Sequence, residues 1–357
     1  MTPQDIALLR LANQQITVHA SATPRQVVSE LGGVQAQDYR SALWAIGLRL
    51  SGATQPDVEE ALANASIVRT WAMRGTLHFV SSEDVRWMIA LLAPRVIAGS
   101  AYRRRQLEID DSTLSRSHDV LVGVLSNGRP VARDDAMRLL EGAGVQTGGQ
   151  RGIHILRHLS LEGLLCQSTA KGSQATFRLL DEWVPKSKTL SRDEALSELA
   201  HRYFSSHGPA TLPDFRWWAG LTVADAQAGL EEAKARLARE KVADTEYWLS
   251  PTMPAPPPPG PAVCLLPGYD EYVLGYADRG IALDAVEFRR VVHNGNGVFR
   301  PTIVLDGRVV GTWQPGTKTR ATAAADLFFE VDRAVSDALG MAVRIYDGFA
   351  TGSAASA

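Results

Sequence analysis

Apolar positions recur at helical spacing from the start of the chain. Ile6, Leu8, Leu9, Leu11 and Ala12 place one apolar stripe on a first helix. A second helix is predicted from Thr23-Pro24, a capping residue followed by a proline whose fixed φ suits the first helical position. Val27, Val28 and Leu31 form its apolar face, and Gly32-Gly33 stops it. Further helices are predicted over residues 41–50 and 56–65. The run IVRTWAMRGTLHFV follows, rich in β-branched and aromatic residues around a central glycine, which is the pattern of a strand pair. Helix, helix, helix, hairpin is the order of a winged helix.

The order returns twice. Helices over 112–126, 133–142 and 150–162 precede a strand at 163–167, a turn at Lys171-Gly172 and a return strand at 175–180. Helices over 192–205, 211–218 and 222–239 then precede a hairpin within 241–249. GPATLPDFRWWAGL has the spacing of a helix-turn-helix core: cap, short helix, glycine turn, next helix. The three series share order and not residues. PTMPAPPPPGP, residues 251–261, reads as a stiff extended linker. Beyond it AVCLLPGYDEYVLG, VFRPTIVLDGRVVGTWQP and MAVRIYDG read as strands, with Asp306-Gly307 as a hairpin turn and one helix at 321–339 interrupting them. The expected fold is α+β, mainly α. Three tandem winged-helix units occupy 1–110, 111–190 and 191–250, the linker 251–261, and a small β-rich C-terminal domain 262–357.

Composition narrows the class without naming a function. Hydrophobic residues make up 45% of the 357 positions and charged residues 21%, as in ordinary soluble domains. No apolar run approaches the roughly 20 residues that span a bilayer, and the N-terminus lacks the basic start and apolar block of a signal peptide. Cys166 and Cys264 stand far apart, so neither a disulfide framework nor a metal spacing is present and a cytoplasmic location is expected. The formal net charge of -2 argues against nucleic-acid binding by global charge. Local balance differs. Residues 66–107 carry Arg69, Arg74, Arg86, Arg95, Arg103, Arg104 and Arg105 against only Glu83 and Asp84. Residues 145–180 carry Arg151, Arg157, Lys171 and Arg178 against Glu162. These stretches are either a face that tracks phosphates or solvated helix surfaces.

Familiar catalytic patterns are absent: no P-loop, no GxSxG, no HExxH, and Gly295-Asn296-Gly297 is an isolated turn. His154 and His158 share a helix face without an acid at a ligand position, which favours packing or phosphate contact over metal. Asp270, Glu271 and Asp278 are either a carboxylate site or, by preference, polar groups of a turn and a sheet edge. No metal and no cofactor are expected. Gln35-Ala36-Gln37 is the informative patch. Two glutamines two apart share one side only if the backbone is extended, which the glycine stop permits. Glutamine is no strong base, yet it can orient a water and present a carbonyl dipole to developing positive charge. Paired glutamines are otherwise plain surface polar groups.

GGVQAQDYRSALWAIGLRL followed by VRTWAMRGTLHFV resembles the AlkZ/YcaQ family of bacterial winged-helix DNA glycosylases. That family carries a Gln-apolar-Gln or Gln-apolar-Asp catalytic motif near the N-terminus. Gln35 and Gln37 match its polar positions, with Ala36 smaller than the usual apolar residue. Arg69, Thr70, Trp71, Arg74, Gly75, Thr76, Leu77 and His78 match the RTW..RGTLH-like segment that follows in the family. LLPGYDEYVLGYADR and VVGTW look like its C-terminal elements. The resemblance implies a monofunctional glycosylase that hydrolyses the N-glycosidic bond of N7- or N3-alkylated purines, in some members including crosslinked guanines, in repair or in self-resistance to a toxin. The implied partner is double-stranded DNA containing alkylated purines, with no membrane, and the chain is expected to act as a monomer. Arg69, Arg74, Thr76, His78, Arg103, Arg104, Arg105, Arg151 and Lys171 are the expected DNA contacts. Arg74 and His78 are expected beside Gln35 and Gln37, because a wing folds back on its own helices. The competing class is a non-catalytic winged-helix DNA binder or transcriptional regulator. A palindrome-reading regulator usually dimerises, and no heptad seam is evident. A third reading, an RNA- or protein-binding scaffold, is disfavoured by sparse aromatics.

Overall fold

A computed structural model describes residues 1–171, 174–184, 186–252, 260–292, 297–317 and 322–353, apart from the side chains of 169–171 and 174. The chain forms two compact units: Met1–Glu59 with Leu196–Ala357, and Glu60–Ala195. The 253–259 portion of the proline-rich linker lies outside the described residues.

The first unit opens with α1 (Pro3–Asn13), closed at its start by a Thr2–Asp5 capping box. In α2 (Pro24–Glu30) the Thr23 side chain accepts from the Gln26 amide, as its Thr-Pro start predicts. Gly32 and Gly33 follow with φ of 72° and 120°, and turn the chain into β1 (Val34–Gln35). Glycine is required at Gly32 twice over. The backbone is left-handed, and a Cβ there would stand 3.0 Å from the Trp218 ring. Next come α3 (Tyr39–Gly47), capped by Asp38, and α4 (Gln55–Ala63).

The second unit takes in the end of α4 and continues with the hairpin of β2 (Ile67–Trp71) and β3 (Leu77–Ser81), paired antiparallel from Ile67↔Ser81 to Trp71↔Leu77 around a tight turn at Met73–Gly75. The arginine-rich stretch after it folds as α5 (Val85–Gly99) and α6 (Ala101–Gln106). Then follow α7 (Asp111–Leu125), β4 (Val131–Ala132), α8 (Arg133–Gly142), α9 (Arg151–Leu161), β5 (Leu165–Lys171), β6 (Gln174–Leu179) and α10 (Leu180–Trp183). The strands of this unit lie in the order β3-β2-β5-β6-β4, and Arg69↔Gln167 is the pairing that joins the two hairpins into one antiparallel sheet.

The rest of the first unit starts on α11 (Arg192–His207), α12 (Leu212–Ala219), α13 (Val223–Ala233) and the two-stranded β7 (Ala238–Val242) and β8 (Thr245–Leu249). Thr211 closes a second capping box with Asp214, and Gly220 ends α12 in the left-handed conformation, so the GPATLPDFRWWAGL spacing folds as expected. Beyond the linker come β9 (Val263–Leu266), α14 (Glu271–Leu274), α15 (Ala285–Val291), β10 (Thr302–Leu305), β11 (Arg308–Gln314), β12 (Ala324–Leu327) and α16 (Arg333–Thr351). The sheet runs β12-β11-β10-β9, antiparallel throughout, and Asp306-Gly307 makes the expected hairpin turn with both φ positive.

Three expectations for this segment are corrected. Within AVCLLPGYDEYVLG only Val263–Leu266 is a strand, and EYVL is the helix α14. MAVRIYDG is no strand but part of α16, and the helix placed at 321–339 begins only at Arg333, with β12 before it. Val343 and Ile345 suggested a strand, but the apolar positions that meet the core, Ala342, Tyr346 and Phe349, are three and four apart. Asp332 caps the helix at Val335 N, and Gly352 ends it in the left-handed conformation. Tyr346 packs edge-on against Trp44 and Trp313, at 5.2 and 4.5 Å between ring centres. Leu11 and Ile16 share one core cluster with Leu266, Tyr272, Val291 and Val304, so the two ends of the chain fold around the same apolar centre. No described helix is long and apolar enough to cross a membrane.

Candidate active site

The Gln35-Ala36-Gln37 segment sits in the first unit, between the glycine stop of α2 and the cap of α3. Burial alternates as an extended backbone requires: Val34 buried, Gln35 half-buried, Ala36 buried, Gln37 exposed. Ala36, with no exposed surface, turns into the core and leaves the two glutamines on the opposite side. Asp38 closes the segment by accepting the Ser41 amide at 2.7 Å. The Gln35 amide oxygen is buried and accepts no hydrogen bond from the described residues. Such an acceptor costs about 1–3 kcal/mol when left unsatisfied, so its persistence asks for a use.

Support for this segment comes from far along the chain. The Gln35 backbone N–H donates to Glu271 Oε1 at 3.2 Å. The other oxygen of Glu271 accepts the Trp218 indole N–H at 2.9 Å and stands 3.6 Å from His207 Nε2. His207 stacks on Tyr203 with ring centres 4.7 Å apart, and its Nδ1 lies 2.8 Å from the Ser206 hydroxyl. Burial lowers its pKa below the ordinary histidine value while Glu271 pulls it upward.

Asp270 is the cap of α14, accepting the Tyr272 amide, and meets Arg49 with two hydrogen bonds of 2.9 Å each. Both side chains of that pair are fully buried. Arg49 also donates to the carbonyls of Gln14 and Ala45, which satisfies the guanidinium further. Asp270 and Glu271, expected as polar groups of a turn and a sheet edge, follow a turn but are buried, and hold Arg49 and the Gln35 backbone. The expectation fits Asp278, an exposed residue that accepts the Gly280 amide at 2.8 Å. Tyr269 just before them has a left-handed backbone, φ 65°, and burial followed by the Asp38 carboxylate raises its phenol pKa.

The residues expected to meet DNA all belong to the second unit. Arg69 on β2 donates to Gln167 Oε1 on β5 at 2.9 Å. Arg74 occupies the hairpin turn with φ 53°, next to Gly75, whose carbonyl accepts from Arg157 Nε at 3.2 Å. Thr76 donates its hydroxyl to the Met73 carbonyl, and His78 is fully buried with Nδ1 3.0 Å from the Thr76 carbonyl. On α6, Arg103 and Arg105 are exposed and Arg104 is half-buried, 4.0 Å from Asp111. Arg103 reaches Gln150 Oε1 at 2.7 Å. Arg151, at the start of α9, donates to the carbonyls of Leu107 and Glu108 and so clamps the turn between α6 and α7. Lys171 ends β5, and its side chain lies outside the described residues. His158 is buried with Nε2 3.4 Å from Glu162, a packing arrangement rather than a ligand set.

Sequence reasoning missed Trp218 and His207 altogether. They come from different helices, and no spacing signal connects them to Gln35. The only visible sign was the unusual RWWAGL turn end.

The sequence profile of the family described as "DNA glycosylase AlkZ-like" matches residues 28–347, a stretch that contains both glutamines and the β2–β3 hairpin. The chain is 26% identical, over 341 residues and 85% of each sequence, to the interstrand DNA cross-link repair glycosylase of Streptomyces sahachiroi. Its fold matches the solved structure of the Streptomyces sahachiroi DNA glycosylase AlkZ with a TM-score of 0.81 at 23% identity, covering 99% of this chain and 98% of that one. The chain belongs to the AlkZ-like family of DNA glycosylases.

Proposed function

We propose that this enzyme hydrolyses the N-glycosidic bond of N7- or N3-alkylated purines in double-stranded DNA, with Gln35 and Gln37 as its catalytic pair. One observation carries the reading: the Gln35 amide oxygen is buried within a motif segment and accepts no hydrogen bond from the described residues. The oxygen is closed to solvent here, so on this reading it accepts a water O–H once the Gln35 side chain turns toward bound DNA. The substrate suits so mild a catalyst. N-alkylation leaves the purine cationic, so the C1′–N bond breaks with its electron pair neutralising the base. No strong acid is needed. Water adds to C1′ of the oxocarbenium-like sugar and gives up a proton, leaving an abasic site. Two amides contribute by orienting that water and by pointing carbonyl dipoles at the developing positive charge. The relative's activity on interstrand cross-links extends the reading to bulky crosslinked purines. Along the chain we read α2–α4 with β2–β3, α7–α9 with β5–β6, and α11–α13 with β7–β8 as three winged helices, with arginines of the second unit on the phosphates.

A duplex carrying one N7-methylguanine tests this directly. Base release, followed by cleavage of the abasic site and separation on a gel, should yield one cut at the lesion. An intact strand after prolonged incubation refutes the reading. The same assay with excess chelator should give an unchanged rate. Among the described residues no group of three or more His, Cys, Asp and Glu side chains is placed to hold a metal ion. Chelator-sensitive release restored by zinc or magnesium would contradict this.

Binding should be directed at the backbone and sensitive to salt, because a repair enzyme meets lesions in any sequence. Replacing Arg103, Arg104 and Arg105 together by glutamine should flatten the dependence of log K on log salt, by about 0.9 for each phosphate that is no longer neutralised. An unchanged slope, or tight binding to one sequence alone, would favour a regulator.

A further inference from the structure

We infer that Glu271 is a positioning residue for the catalytic segment, with Trp218 bonded to its carboxylate and His207 packed beside it; the inference rests on the reading of Gln35 as catalytic. β1 is only two residues long, so few ladder bonds hold the backbone at Gln35. The Glu271 carboxylate supplies a direct anchor there, through Oε1 to the Gln35 N–H at 3.2 Å. Its own freedom is removed from three sides. Trp218, from α12, donates to Oε2 at 2.9 Å. His207, from the end of α11, packs 3.6 Å from the same oxygen without bonding to it. Asp270, the preceding residue, is locked by Arg49. Trp218 touches the segment a second time, since a Cβ on Gly32 would meet its ring at 3.0 Å. One tryptophan thus braces both the glycine stop and, through Glu271, the backbone of Gln35.

The chemistry makes such an anchor matter. A catalyst that moves no proton acts by where it stands, so a displacement of about 1 Å can cost roughly 10²-fold in rate. A carboxylate suits this place and an amide does not. Two N–H donors, from Gln35 and Trp218, approach opposite oxygens of one group. In Glu271→Gln, one of those oxygens becomes an NH₂ that faces a donor. One of the two bonds must be lost although shape and volume are kept.

The test uses the full chain with Glu271→Gln and Trp218→Phe, the second keeping an aromatic ring while removing the indole donor together with part of the buried ring. Three quantities are compared with wild type: the single-turnover rate of N7-methylguanine release at saturating enzyme, the Kd for the same duplex, and hydrogen exchange of peptides covering residues 33–37. Glu271→Gln should slow release by about 10²-fold with Kd nearly unchanged and with faster exchange confined to 33–37. Trp218→Phe should move both the same way by less. A purely structural role would instead raise exchange across the unit and weaken binding in step with rate, which overturns the inference. So does a wild-type rate in Glu271→Gln. Should wild type release no base, the functional reading fails, and exchange at 33–37 still decides the anchor: faster in the variants supports it, unchanged rejects it. If Glu271→Gln does not fold, Trp218→Phe decides by the same measures.

Discussion

Gln37→Ala, and to a similar degree Gln35→Ala, should slow base release by about 10²–10³-fold, the usual loss when one preorganised dipole is removed from a reacting centre. The fold should survive both changes. Gln37 is exposed, so truncating it removes little packing. Gln35 is half-buried, and its anchor to Glu271 runs through the backbone N–H, which alanine retains. Removing the buried Oε1 also deletes an acceptor that the described residues leave unsatisfied, so Gln35→Ala should keep or slightly raise stability while activity falls. That opposition is the mark of a group held for function rather than for folding. Single-turnover release from the N7-methylguanine duplex, beside thermal melting, reads both halves. Wild-type turnover in both variants would sink the assignment of the pair.

The largest stability loss is expected at Asp270→Ala. It would strand the Arg49 guanidinium, which has no exposed side-chain surface, without its charge partner. Breaking a buried pair from one side costs about 3–5 kcal/mol, because the remaining charge stays buried. Asp270 also caps α14, which adds about 1 kcal/mol. The double variant Arg49→Met, Asp270→Leu should recover most of the loss, since desolvating the ion pair already offsets much of its attraction. Urea unfolding of the single and double variants measures both values. A single variant within about 1 kcal/mol of wild type would mean that Arg49 finds another partner. Because Asp270 adjoins Glu271, activity in the single variant should fall as well.

Most secondary structure was legible because it is specified locally. Thr23-Pro24, Thr211 with Asp214, and Thr222 with Asp225 are caps written into adjacent residues, and each closes its helix where expected. Asp306-Gly307 set the β10–β11 turn in the same way. The failure at MAVRIYDG has an equally physical origin. Val343 and Ile345 favour strands, but the helix they join buries Ala342 and Phe349 on its other face, and packing outweighs propensity. The local +φ at Arg74 was also invisible, since only the closed hairpin requires it.

By itself the sequence determined the capped helices, the hairpins, the family, and the two glutamines on one side of an extended segment. Those rest on caps, periodicity and a contiguous motif, all short-range properties of the chain. The tertiary structure alone decided what stands behind the motif. Glu271 lies 236 residues from the backbone N–H it accepts, and Arg49 lies 221 residues from Asp270. In a linear reading Asp270 and Glu271 are two acids in a turn. Burial removes the water that would otherwise satisfy them, and each must then take its donors from whatever element the fold brings near. That choice depends on how α1, α3, α11 and α12 pack around the C-terminal sheet, a global outcome that no local pattern encodes.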